Sequence, residues 1–351
     1  MGAAGPDFSR ARRTAVPTTS LARLGVSLDL DGATLAAGAR SSTDSAAWAV
    51  YLFTRSGEAW IQQDELGPRN GGRFGASLSL DGDVLAVAEP DLSPATGYVH
   101  LYLREGTSWS YNGSQNGGGL TTADFGTTVA LDGNGLVVGA GGPHIPNGTP
   151  GQACFSAYRV DRSPVVPFCH VDISPGLGCA AALDGETALV GACGAAHGAP
   201  GSAHVFGRAL DDWAYLGEMD VDEGDERYGR SVALDGDTAV VAGDGVVHVF
   251  LRSEGAWAPS AELHPDGESG DFGHAVALSG DRVLVGDPEA DGGAGAAYVF
   301  ARSATGWTQQ AKLEPNDASG HFGAAVALDG PTAVVSAVND THSTITVFSA
   351  P

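Results

Sequence analysis

"DFGHAVALSGDRVLVGDPEADGGAGAAYVFARSATGW", residues Asp271 to Trp307, contains in one pass the pattern that recurs along the chain. Phe-Gly leads into a short apolar run, Ala275 to Leu278, and a Ser-Gly pair separates it from a second, Arg282 to Gly286. Short apolar runs bounded by Gly-rich turns read as strands, and a Ser-Gly or Asp-Gly pair between two of them is a strong hairpin signal. A third run carries Tyr298 to Phe300, and "ARSATGW" turns into a fourth strand.

Six other stretches align with this one: "RLGVSLDLDGATLAAGA", "RFGASLSLDGDVLAVAE", "DFGTTVALDGNGLVVGA", "GLGCAAALDGETALVGA", "RYGRSVALDGDTAVVAG" and "HFGAAVALDGPTAVVSA". Their glycines, with that of the first stretch, are Gly25, Gly75, Gly126, Gly178, Gly229, Gly273 and Gly323, spaced by 50, 51, 52, 51, 44 and 50 residues. A period of this size with four strands per unit predicts a propeller blade. The expected fold is all-β: a seven-bladed β-propeller with four antiparallel strands per blade, residues 1–351 forming a single domain. Blades are expected to start near residues 24, 74, 125, 177, 228, 272 and 322.

The seventh unit stops after its third strand at "TITVFSAP". Pro17 precedes Gly25 by eight residues, as Pro265 precedes Gly273 and Pro315 precedes Gly323, so "RRTAVP" holds the register of "QAKLEP". Residues 10–17 are therefore expected as the outer strand of blade seven. Closure of this kind removes open sheet edges.

Repeated positions are read first as structure. Asp31, Asp81, Asp132, Asp184, Asp235 and Asp329 are turn formers. On the third strand Tyr51, His100, Ser156, His204, His248, Tyr298 and Thr346 form one set, expected to make hydrogen bonds between blades. Trp60, Trp109, Trp213, Trp257 and Trp307 share a register on the fourth strand and are expected to pack between sheets.

With 18 basic and 42 acidic residues the net charge is -24, and Lys312 is the single lysine. That field repels nucleic acid and anionic bilayers. No stretch reaches the length of a membrane helix, and the start "MGAAGPDFSRARR" has no apolar signal core, so a secreted form would have lost its signal.

Cys154 and Cys169 are symmetric about the turn joining strands three and four, and Cys179 and Cys193 about the turn joining strands one and two. Two cross-strand disulfides are expected, hence an oxidising compartment, with free-thiol pairs as the alternative.

Phe74-Gly75, Phe125-Gly126, Phe272-Gly273 and Phe322-Gly323, each followed by "VGA", "GDP" or a variant, resemble the FG-GAP repeat. That resemblance implies the seven-bladed propeller of integrin α-subunits, in a shortened, prokaryotic-type form. Integrin-type blades bind calcium through an Asp-rich loop between the first two strands. Here Asp29-Leu30-Asp31-Gly32 offers too few oxygens for that role.

Strand alternation puts the loops after strands two and four on one face, where length and composition vary. Binding is expected there. The candidate ligand-binding residues are Glu89, Asp91, His144, Asp222, Asp225, Asp287, Glu289 and Asp291. Calcium is the one candidate cofactor, with Asp220, Asp222, Asp225, Asp287 and Asp291 as candidate ligands, and solvated loop charge is the alternative reading. Three sequons, at Asn112, Asn147 and Asn339, are expected in loops.

No hydrolase motif is present, and no repeat stands out by a clustered His, Asp or Ser. The expected function is therefore an extracellular or cell-surface adhesion module, not an enzyme. It would recognise a protein or glycan partner as a monomer or as part of a longer chain. A rigid envelope spacer, or a propeller enzyme with an axial site, are the alternatives.

Overall fold

The computed structural model describes residues 6–16, 22–41, 48–90, 97–117, 125–141, 152–157, 168–171, 176–193, 200–209, 212–219, 221, 227–316, 320–339 and 343–351. They form seven four-stranded antiparallel sheets. Blade one is Ala22–Asp31, Thr34–Ser41, Trp48–Ser56 and Ala59–Leu66 from inside to outside, and blade six is Ala275–Ser279, Arg282–Asp287, Ala296–Ser303 and Gly306–Leu313. The first strands of neighbouring blades touch all the way round, blade seven meeting blade one. The blades are thus radial, with first strands at the axis.

Apolar side chains collect between blades. Each of the seven interfaces has its own buried cluster. Between blades five and six, for example, Val240, Val249 and Phe272 pack with Val283, Val285 and Tyr298. Trp60, Trp109 and Trp213 are buried in three such clusters, and Trp257 and Trp307 lie against two others, in the role expected for them.

The repeated glycines mark where adjacent backbones touch. A Cβ on Gly191, in the second strand of blade four, would lie 1.9 Å from the carbonyl oxygen of Gly229, the glycine that follows Tyr228 in blade five. Gly38 and Gly75 meet in the same way between blades one and two, at 2.2 Å. The Phe-Gly of one blade thus sits on the Gly-Ala of the blade before it.

In the first hairpins Asp, or Ser279 in blade six, closes the strand pair and glycine takes the first of two loop positions, with φ of +56° at Gly32 and +48° at Gly330. Pro331, whose ring fixes a negative φ, takes the second position in blade seven. This is the type II′ arrangement, whose twist suits paired strands.

Closure of the ring follows the sequence expectation. Arg12–Ala15 pairs antiparallel with Ser343–Ser349, placing Arg13 opposite Phe348 and Thr14 opposite Val347. The preceding residues reach further than expected, onto blade six. Phe8, 2% exposed, packs into the cluster between blades six and seven, and its amide donates to Gln310 Oε1 at 3.3 Å.

Cys179 and Cys193 form a disulfide with Cα atoms 6.0 Å apart. Cys154 is also disulfide-bonded, and Cys169, whose side chain lies outside the described residues, is its register partner. Two other expectations are corrected. The third-strand histidines have partners in their own blades: His100 bonds with Glu89 at 2.6 Å and His204 with Ser202 at 2.8 Å, and His248 lies 3.8 Å from Glu262. Asn112 lies in the outermost strand of blade two, Ser108–Asn116, as the extra residue of a bulge. Asn147 is outside the described residues.

Candidate binding face

The two faces of the disc differ chemically. On the short-turn face, the glycine amide of each first hairpin donates to a side chain of the blade before it. Gly82 bonds to Asp31 at 2.6 Å, Gly133 to Asp81 at 2.7 Å, Gly280 to Asp235 at 2.6 Å and Gly330 to Ser279 at 3.0 Å. Gly185 and Gly236 bond likewise to Asp132 and Asp184, and Gly32 to Asp329 at 2.8 Å completes the circle. The repeated Asp therefore joins neighbouring blades besides ending a strand. Arginine adds a second link: Arg104 stacks on Trp109 and donates to Thr34 of blade one, and Arg252 stacks on Trp257 and donates to Thr187 of blade four.

On the opposite face the candidate acids separate into two groups. Glu89 and Asp287 end the second strands of blades two and six, and both are buried, 1% and 0% exposed. Glu89 accepts from the amides of Arg69, Asn70 and Gly72, and Asp287 from those of Gly270 and Asp271. They pin the incoming loop and present no open ligand surface. Burial alone would raise the Glu89 carboxyl, but hydrogen bonds from His100 and the Asn70 amide outweigh it and hold it below the usual range. Glu289 and Asp291 are about half exposed and pair with His321 at 3.0 Å and Lys312 at 2.6 Å. Asp91, His144, Asp220, Asp222 and Asp225 lie outside the described residues. Among the described residues no three His, Cys, Asp or Glu side chains gather as a metal site.

A different group does converge. Asp271, at the entrance to blade six, accepts on Oδ1 from Arg227 at 2.7 Å and Arg230 at 2.6 Å, and its Oδ2 meets His274 Nδ1 at 2.8 Å. Arg227 also lies 3.8 Å from Asp244. Arg230 is largely buried, bonded further to the Asp271 and Phe272 carbonyls, whereas Arg227 and His274 are half exposed. Burial would raise the Asp271 carboxyl, but its bonds from Arg230 and His274 hold it below the usual range. A carboxylate against Nδ1 favours a proton on that nitrogen.

Two of these residues, Arg230 and His274, break the repeat. The position after the Phe-Gly glycine is Val26, Ala76, Thr127, Cys179, Arg230, His274 and Ala324 in turn. Units five and six differ from the others at that position, whereas the positions of Arg227 and Asp271 carry Arg or Asp elsewhere, as Arg23, Arg73 and Asp124. The signal lay in comparing that single position across repeats.

Seven radial sheets with a shared axis define the chain as a seven-bladed β-propeller. The FG-GAP repeat pattern matches residues 257–300 and 307–346, each match running from the outermost strand of one blade to the third strand of the next. These two matches, with the same unit recurring through all seven blades, support an FG-GAP repeat propeller. No curated protein matches the sequence. Among solved structures it is similar to a "putative 6-phosphogluconolactonase" from Bacteroides uniformis, at 14% identity and a TM-score of 0.59, covering 88% of this chain and 90% of that one. At that identity the likeness carries the fold alone.

Proposed function

We infer that the protein is a binding propeller of the cell surface or extracellular space, holding a protein or glycan partner on its loop face without chemically changing it. The observation that supports this is the contrast between the faces. One is built from uniform two-residue turns bonded in a circle, and the other carries the variable loops and the Arg227–Asp271–His274 cluster. Variable loops on a rigid frame are where recognition is generally found. The disulfides support an oxidising location.

The test is a glycan and protein array probed with the full chain, followed by loop exchange. Replacing residues 266–274 with the corresponding loop of blade two should abolish binding, while Glu58→Gln and Asp83→Asn on the short-turn face should not. Loss through the short-turn variants alone would refute the reading. The similar structure's printed name supplies a competing assay: hydrolysis of a sugar lactone, abolished by His274→Ala, would make the chain an enzyme.

A further inference from the structure

We propose that the cavity between the N-terminal segment and the outer strand of blade six binds a short monocarboxylate such as propionate, with Arg13 taking the carboxylate and the hydrocarbon end lying toward Phe8 and Phe348. The ligand would tighten the closed ring. This site is on the rim of the disc and is independent of the loop-face reading.

Three observations carry it. First, there is room: a cavity of about 270 Å³ is lined by Phe8, Ser9 and Arg13 of the N-terminal segment, Lys312 and Leu313 of blade six, and Phe348 of blade seven. A single water occupies only about 30 Å³ of liquid. Second, Arg13 has no acid opposite it. It donates to Asn316 Oδ1 at 2.5 Å and stands 5.2 Å over the Phe348 ring, and no described carboxylate pairs with it. Its neighbour Arg12, by contrast, is paired with Glu58. A guanidinium carries five donors, so most of the Arg13 fork is open. Third, the walls meet only in the closed ring. The Phe8 amide donates to Gln310 Oε1 and Gln310 Nε2 to the Pro6 carbonyl, both at 3.3 Å, while Arg13 lies opposite Phe348. A ligand that binds only this closed arrangement stabilises it by mass action.

The chemistry selects the ligand class. A planar guanidinium matches a carboxylate bidentately. Phosphate would bring more oxygens than the site can satisfy, because the Ser9 hydroxyl already donates to Asp7 at 2.6 Å and Lys312 is held by Asp291 at 2.6 Å and Glu314 at 3.7 Å. Those two carboxylates and the net charge of -24 also disfavour a second negative charge on the ligand. Away from the charged groups the walls are Phe8, Leu313 and Phe348, so hydroxyl groups on the ligand would lose water without gaining a partner. A single carboxylate on a short hydrocarbon meets all of these conditions.

The experiment is scanning calorimetry of the full chain with increasing sodium propionate, 1-propanol or sodium phosphate. Sodium chloride holds the ionic strength constant throughout, so that screening of the acidic chain does not enter the comparison. Propionate should raise the Tm with a saturating dose response, by about 1–3 °C at roughly ten times its Kd, and propanol and phosphate should not. Two variants separate ligand binding from packing. Arg13→Met keeps an aliphatic stem beside Phe348 and removes the fork, and Ala311→Leu, whose side chain lines the same cavity, fills it and leaves Arg13 in place. Each should shift the propionate response to at least about tenfold higher concentration. An equal response to propanol or phosphate, or an undiminished propionate response in either variant, would overturn the proposal. A lowered ligand-free Tm in Arg13→Met with the propionate response intact would assign Arg13 to the clasp alone and overturn it equally.

Discussion

Asp29, partly buried, and Glu89, fully buried, are carboxylates with opposite outcomes. Asp29 lies on the axial strand of blade one and accepts from the amides of Leu30 and Leu80, at 2.8 Å and 2.7 Å. Burial outweighs these bonds and pushes its carboxyl up to about 6. A raised carboxyl favours the folded state in acid, and that advantage is lost as pH rises from the ordinary value through the folded one. Asp29→Asn keeps an accepting oxygen and removes the charge. It is therefore expected to raise the Tm by a few degrees at neutral pH and to have little effect near pH 4, as read by calorimetry at the two pH values. Glu89 works the other way: its stabilisation is present above the ordinary glutamate range and lost as pH falls through its lowered value. Glu89→Gln should cost about 1–3 kcal/mol at neutral pH, the difference narrowing in acid, in a urea titration at both conditions. Gly191→Ala has no such pH dependence. Its Cβ would meet the Gly229 carbonyl at 1.9 Å, so blades four and five must separate, at about 1–3 kcal/mol or more.

Among the elements, Arg12–Ala15 is the one that closes the ring. Its four residues cover the edge of Ser343–Ser349, and Phe8 just before it packs beside blade six. Deleting residues 1–16 should lower the Tm by at least about 5 °C and expose a strand edge open to intermolecular pairing, visible as concentration-dependent light scattering. An unchanged melting curve would show that the clasp is dispensable. This strand was legible in the sequence because the Pro17 to Gly25 spacing copies that of Pro265 to Gly273. The strand order was legible because seven copies of one pattern leave little freedom for the others. The burial of Glu89 and Asp287 was not, since a strand's last residue looks like a loop residue until the next segment folds over it. Nor was the hairpin ring, because self-alignment stacks Asp31 on Asp81 without indicating that the Gly82 amide bonds to Asp31. The Asp271 cluster was obscured for a related reason: its members belong to two units and meet only after adjacent blades dock.

At the scale of the whole molecule, charge opposes compactness. Forty-two acids against 18 bases give self-repulsion that dissolved ions screen. Raising sodium chloride from about 0.01 M to 0.5 M, where the Debye length falls from roughly 30 Å to under 8 Å, should raise the Tm by several degrees. A flat or falling Tm would show that the acidic loops lie too far apart to repel. The seven apolar interfaces are the counterweight, and none is central, so stability is distributed around the ring.

The pairing of Arg12–Ala15 with Ser343–Ser349 also orders events in time. On the ribosome the closing strand is made early and its partner roughly tens of seconds later, at ordinary elongation rates. Throughout that interval the growing stack of sheets has no closed circumference and must be guarded from pairing with neighbouring chains. The strand that finishes the ring is made before its seven sheets and seated after them, so a fault in translating Ser343–Ser349 would leave Arg12–Ala15 without a home.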